Sequence, residues 1–148
     1  MMKLSEKGHF AVRPILEGPA ESVACTVEQW ASVHARTHWQ LGDETMVDGA
    51  DFYVGERELG HLHLFHEAHI ALPPALRDAA LAAKLARPFR WNDSFVVHRV
   101  KTIAEAHATE WLFRLAYDRL QGVSLAALHR RIAQRASEGA GAKRASPG

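Results

Sequence analysis

Hydrophobic and polar positions along the chain change period several times, and each change marks an element. Ala20 to Ala31 follows Gly18-Pro19 and puts Val23, Val27, Trp30 and Ala31 on one stripe, which predicts a helix with Glu21 in its first turn. Thr26-x-x-Gln29 offers a rival start with a capping-box spacing. Val33 to Trp39 then alternates, with Val33, Ala35, Thr37 and Trp39 against His34, Arg36 and His38, the period of a half-buried strand. Gly42 to Gly49 reads as a loop and Ala50 to Val54 as a second strand. Gly55-Glu56-Arg57 reads as a tight turn into a third strand, Glu58 to Leu64, and Ala68 to Leu72 as a fourth. Pro73-Pro74 closes that strand and opens a helix carried to Leu85 by strong helix formers. Ser94 to Val100 is a fifth strand, and Thr102-x-x-Glu105 caps a long helix to about Leu120 with Ala108, Leu112, Leu115 and Ala116 on its stripe and Trp111 at the edge. Gly122 breaks it before a last helical stretch, Val123 to Arg135.

The resulting order is α-β-β-β-β-α-β-α. Short links between successive strands imply antiparallel pairing, so the fold class is α+β: a two-layer sandwich with a sheet of about five strands and helices on one face. The 148 residues suit one domain, over 20–136, with a loosely ordered lead-in at 1–19 (a strand around Phe10–Val12 within it) and a small-residue, polar tail at 137–148 expected to be disordered.

Chemistry concentrates in His61-Leu62-His63-Leu64-Phe65-His66-Glu67-Ala68-His69-Ile70, which holds four of the ten histidines. Strand parity sets Leu62 and Leu64 against His61 and His63, and sets Ala68 and Ile70 against His69. A three-residue loop, Phe65-His66-Glu67, keeps both apolar sets on one face and pairs Leu62 with Ile70 and His63 with His69. Facing side chains then have Cβ atoms about 4.5–5.5 Å apart. His61, His63 and His69 thus converge as a ligand-binding face, joined by His38, and by His34 of the same parity, if their strand shares the register, with Trp91 as a pocket rim. Three imidazoles and an open position also suit a divalent metal (zinc, iron or manganese), with Glu67 or His66 as a fourth ligand or hydrogen-bond support. A solvated sheet face explains the same histidines without any ligand. Either way, clustered imidazoles predict a charge change on this face between about pH 5 and 7. His98 shares its parity with Val96 and Val100 and reads as inward-facing.

Composition narrows the classes. Apolar residues make up 47% and charged residues 24%, with net charge +1, and a mean hydropathy of −0.20 with no long apolar run predicts no membrane span. Cys25 is the single cysteine, which excludes an internal disulfide and a thiolate zinc site and points to a reducing cytoplasm. Arg130, Arg131, Arg135, Lys143 and Arg144 against Glu138 give the last twenty residues +4 and leave −3 on the rest. That basic end is a candidate anion or nucleic-acid contact, although a solvated helix end accounts for it more simply, because it lacks aromatics. Phosphate-binding glycine loops and the G-x-S-x-G elbow are absent. Ser94 and His98 are too far apart along a strand for a triad, and Cys25, on a helix, reads as a structural thiol.

Several strings resemble a known family: Phe52-Tyr53-Val54-Gly55-Glu56-Arg57-Glu58-Leu59-Gly60-His61-Leu62-His63, Leu72-Pro73-Pro74-Ala75-Leu76-Arg77-Asp78, Ser94-Phe95-Val96-Val97 and Trp111-Leu112-Phe113-Arg114-Leu115-Ala116-Tyr117. Together, over about residues 30–120, they resemble the small bacterial "luciferase family protein", or luciferase-like domain. The resemblance implies a compact α+β domain and matches the family's histidine pair to His61 and His63. It carries no general activity, no light emission and no support for His66 or His69. The flavin-dependent luciferase barrel is excluded by length. A weaker similarity links the element order to double-wing α+β domains that bind DNA, against which the acidic body counts. The expected function is a cytosolic small-ligand-binding or accessory domain with no cofactor. The alternatives are a metal-dependent hydrolase or oxygenase, with a metal-activated water and Glu67 as base, and a partner- or nucleic-acid-binding module using the basic end.

Overall fold

The structure, a computed structural model, describes residues 11–145. Its elements are α1 (Pro19–Glu28), β1 (Val33–Gln40), β2 (Asp43–Val54), β3 (Arg57–His63), β4 (Glu67–Ala71), α2 (Pro74–Ala82), β5 (Arg87–Pro88), β6 (Phe95–Arg99), α3 (Ile103–Leu120) and α4 (Leu125–Ala145). The strands form one antiparallel sheet in the order β1-β2-β3-β4-β6-β5. The α+β sandwich is as expected. The sheet has six strands because Arg87–Pro88 adds a two-residue edge beside Val96 and Val97. No described helix is long and apolar enough to cross a membrane.

One sheet face meets the helices. Ala50, Phe52, Leu62, Ala68, Ile70 and Val96 are fully buried there against Leu112, Phe113 and Leu115 of α3 and Val23 and Val27 of α1. The Phe52 and Phe113 rings meet edge to face at 5.7 Å. The α3 stripe is wider than expected and takes in Ala106, Thr109 and Phe113. The Thr26 start is not used: Thr26 sits in the last turn of α1 and its carbonyl accepts from Gln29 N.

The capping box of α3 is complete: Glu105 N donates to Thr102 Oγ1 at 3.1 Å and Thr102 N donates to Glu105 Oε1 at 3.0 Å. Thr102→Ala is therefore expected to cost about 1 kcal/mol, which thermal melting would register as a drop of about 3 °C.

Two expectations about the sheet are corrected. Gly42–Gly49 is mostly strand: β1 and β2 form one long hairpin around Leu41-Gly42 with register shifts at His38/Trp39 and Trp39/Gln40. These bulges break the alternation of Asp43 to Gly49, which is why the segment reads as loop. The β3–β4 register is shifted by two from the expected one. His61 faces His69, Leu62 faces Ala68 and His63 faces Glu67. The connection is the three residues Leu64–His66, closed by His66 N donating to the His63 carbonyl at 3.2 Å with His66 left-handed at φ 64. A shift of two preserves both faces. It sets the large Leu62 beside the small Ala68, and the large Ile70 beside Gly60, over which Phe113 packs.

At the ends, Phe10 of the expected strand lies outside the described residues. Ala11 accepts from Thr37 N at 2.9 Å, and Val12 accepts from Thr37 Oγ1 at 2.6 Å, along the free edge of β1. Arg13 anchors this segment to α1 by pairing with Glu21 (2.7 Å) and Glu28 (2.8 Å). Residues 1–10 of the lead-in and 146–148 of the tail also lie outside the described residues.

Candidate metal centre

The sheet face away from the helices carries four histidines from three strands. In β3, parity sends His61 and His63 outward while Leu62 enters the core. In β4 the same alternation sends His69 outward between Ala68 and Ile70. In β1 His38 lies opposite Gly49, which lies opposite His63, so no side chain of β2 separates the two rings. The His38 and His61 rings stack at 4.2 Å and 8°, and His38 meets His63 edge-on at 5.0 Å. The face is polar yet closed: His63 and His69 are only 8% and 6% exposed. Phenylalanines wall it, with Phe65 on His63 at 4.6 Å, Phe89 on His69 at 4.7 Å and Phe95 on His61 at 5.8 Å.

Each imidazole has a carboxylate behind it. His38 Nδ1 donates to Asp51 Oδ1 at 2.7 Å, His63 Nδ1 to Asp48 Oδ2 at 2.8 Å and His69 Nε2 to Glu67 Oε1 at 2.9 Å. His61 Nδ1 lies 3.4 Å from Glu58 Oε1 and 3.9 Å from Asp51 Oδ1. Asp51 and Glu58 are themselves buried, at 3% and 4% exposure. A carboxylate on one ring nitrogen fixes the proton there and leaves a lone pair on the other. His63 Nε2 and His69 Nδ1 thereby become acceptors, and they face each other at 3.3 Å. His61 Nε2 lies 3.1 Å from the same His69 Nδ1. The ligand atoms of His38, His61 and His63 lie within 4.8 Å of one another, as do those of Asp51, Glu58 and His61.

Burial holds two of these rings neutral. It pushes His61 down to about 3 against the pull of Glu58, and pushes His63 down to about 4, helped by repulsion from His69 and His38. The charge change expected of this face between about pH 5 and 7 is thus moved below that range for His61 and His63.

The remaining sequence candidates fall elsewhere. His34 is exposed on β1. His66 serves the turn. His98 faces the helices, with Nδ1 2.9 Å from Thr109 Oγ1. Trp91 stands 78% exposed under the Arg90 guanidinium, while Phe89 takes the place beside His69. Asp48, Asp51 and Glu58 went unread in the sequence. Asp51 carried a signal, since it shares its parity with Tyr53 and lies directly opposite His61. Asp48 is the residue that the β1–β2 register skips, between Val47 and Gly49, and carried none.

Residues 56–116 match a family model described as Luciferase domain. The match bears out the luciferase-like resemblance over that span, which runs from the β2–β3 turn into α3. It takes in Glu58, His61, His63, Glu67 and His69, and leaves His38, Asp48 and Asp51 outside. No curated protein and no solved structure matches the chain.

Proposed function

We propose that this luciferase-like domain binds one divalent transition metal, zinc in the first instance, through His61 Nε2, His63 Nε2 and His69 Nδ1. One observation carries the reading: the lone pairs of His63 and His69, each fixed by a carboxylate, face each other at 3.3 Å. Two acceptors at that distance repel unless a cation lies between them. Metal–nitrogen bonds of about 2.0–2.1 Å in a tetrahedron set the nitrogens about 3.3 Å apart, close to the 3.1 Å and 3.3 Å that separate His61 Nε2 and His63 Nε2 from His69 Nδ1. Neutral His61 and His63 are ready ligands, because a metal need displace no proton from them. His38, held by Asp51 and with its ligand atom within 4.8 Å of those of His61 and His63, would take the fourth position. As a ligand it closes a purely binding site; withdrawn, it leaves room for a water whose pKa the metal would lower, the basis of a hydrolase or oxygenase. The single Cys25 suits a reducing compartment such as the cytoplasm.

Elemental analysis of tagless protein, beside calorimetric titration of zinc into the chelator-treated protein, tests the reading. One metal per chain is expected. Zinc at a thousandfold excess over Kd should raise the melting temperature by roughly 10 °C, and His63→Ala should abolish both effects. Glu67→Gln should weaken zinc about 10–100-fold through the orientation of His69. No metal on the protein and no zinc-dependent shift would end the proposal.

A small organic ligand on the same face is the second reading, favoured by the phenylalanine wall of Phe65, Phe89 and Phe95. It calls for a ligand-dependent stabilisation that persists in chelator.

A further inference from the structure

Apart from the proposed metal ligands, α2, β5, β6 and the start of α3 line an open cavity of about 650 Å³, within the size range of small-molecule sites. Its floor is apolar, with Leu81, Leu85, Ala86 and Val97. Lys84, Arg87 and Arg99 line it against a single carboxylate, Glu105. Arg99 is already paired with Glu105 at 2.7 Å, and Arg87 lies 3.5 Å from Glu67. Lys84 has no ion pair among the described residues.

Lys84 is also strained. It ends α2 in a Schellman motif: Leu85 N donates to the Ala80 carbonyl and Lys84 N to the Leu81 carbonyl, both at 3.0 Å. Lys84 occupies the left-handed position at φ 58, where glycine is the usual residue because a Cβ is penalised there. The chain thus places a cation, at a conformational cost, on the lip of an apolar cavity. Beside it His98 also lines the cavity, its Nδ1 2.9 Å from Thr109 Oγ1.

We propose that this cavity binds a small anionic amphiphile, its carboxylate or phosphate held by Lys84 and Arg87 and its apolar body laid on Leu81, Leu85 and Val97. The cavity shares no lining residue with the proposed metal ligands, but Arg87 also pairs with Glu67 behind His69, so the inference is tested on chelator-treated protein.

Octanoate and octyl phosphate are titrated calorimetrically, with 1-octanol and inorganic phosphate as the half-ligands. Both octyl anions are expected to bind at least about tenfold tighter than either half-ligand, the size of one charge-assisted contact. Lys84→Gly should weaken the octyl anions about tenfold while raising the melting temperature by about 3 °C, because it relieves the backbone. Lys84→Arg should retain binding. The rise in stability separates loss of the charge from loss of the fold. The proposal is overturned if 1-octanol binds as well as octanoate, if inorganic phosphate binds as well as octyl phosphate, or if Lys84→Gly binds like the parent. Co-sedimentation with phosphatidylglycerol vesicles in the absence of octanoate binding would overturn it too, by moving the same headgroup chemistry to a membrane surface.

Discussion

Gly49→Ala is expected to destabilise the protein by about 4 kcal/mol and to take the metal centre with it. Gly49 lies in β2 directly opposite His63, at φ 148. That region of backbone space costs a residue with a side chain about 1–3 kcal/mol. A Cβ there would also lie 1.8 Å from the Leu62 carbonyl oxygen and 2.8 Å from its carbon, so β2 and β3 must separate to admit it. Overpacking of this kind adds about 1–3 kcal/mol. The separation falls between Asp48 and His63, the pair that fixes the His63 proton, so zinc affinity should fall even in molecules that stay folded. Gly55→Ala is the control: Gly55 also has positive φ, 60, but nothing lies within 4 Å of its added Cβ, so only the backbone term applies. Urea unfolding of the two variants decides the matter. If Gly49→Ala came within 1 kcal/mol of Gly55→Ala, the close approach of the strands would have no energetic weight.

The role of Gly49 shows why part of the site was not legible in the chain. Parity alone sets His61, His63 and His69 on one face, because Leu62, Ala68 and Ile70 must enter the core, and any register error that keeps the faces must be a shift of two. The observed shift is of that kind: it exchanges His63 for His61 as the partner of His69 and leaves all three converging. The capping box at Thr102 and Glu105 and the proline-opened α2 are equally local signals. Bulges have no such signature. Those near His38 and Gly49 turn what reads as a loop into half of the longest strand, and that strand brings in Asp48 and Asp51. The carboxylates behind the imidazoles therefore depend on how β1, β2 and β3 are offset, and spacing along one strand does not encode that offset. The two-residue β5 is too short for any period to reveal it, yet it carries Arg87 to Glu67 and leads into Phe89 beside His69.

Because burial depresses His61 and His63, the metal-free protein is expected to lose stability steeply on acidification below about pH 6.5. Both rings titrate near 6.5 when exposed, while in the folded protein they are pushed down to about 3 and about 4. Above 6.5 neither state holds these protons and stability is independent of them. Below it the unfolded chain binds two protons that the folded chain refuses, so unfolding free energy falls with pH, by up to about 2.7 kcal/mol per pH unit. The loss is complete only once His61 is protonated in the folded state. Glu21 and Glu105, each held near 2 by an arginine, add a loss of the same sign, but only below their ordinary value of 4.5. The window from pH 6.5 to 4.5 therefore isolates the histidines: about 4 kcal/mol should disappear across it from His61 and His63, with a further loss of the same sign from His98, which burial also lowers. Urea unfolding of chelator-treated protein at intervals of half a pH unit measures the slope. Proton NMR of the imidazoles should show His61 and His63 unprotonated at pH 5 in the folded state, a readout that needs no variant to fold. Ring signals titrating near 6.5, or a flat stability profile, would mean that solvent reaches these rings and that the lone pairs of His63 and His69 are not held together in a closed site. A steep profile that flattens when zinc is present would join the two properties: a metal offsets the acid loss only by occupying the nitrogens that burial keeps free of protons.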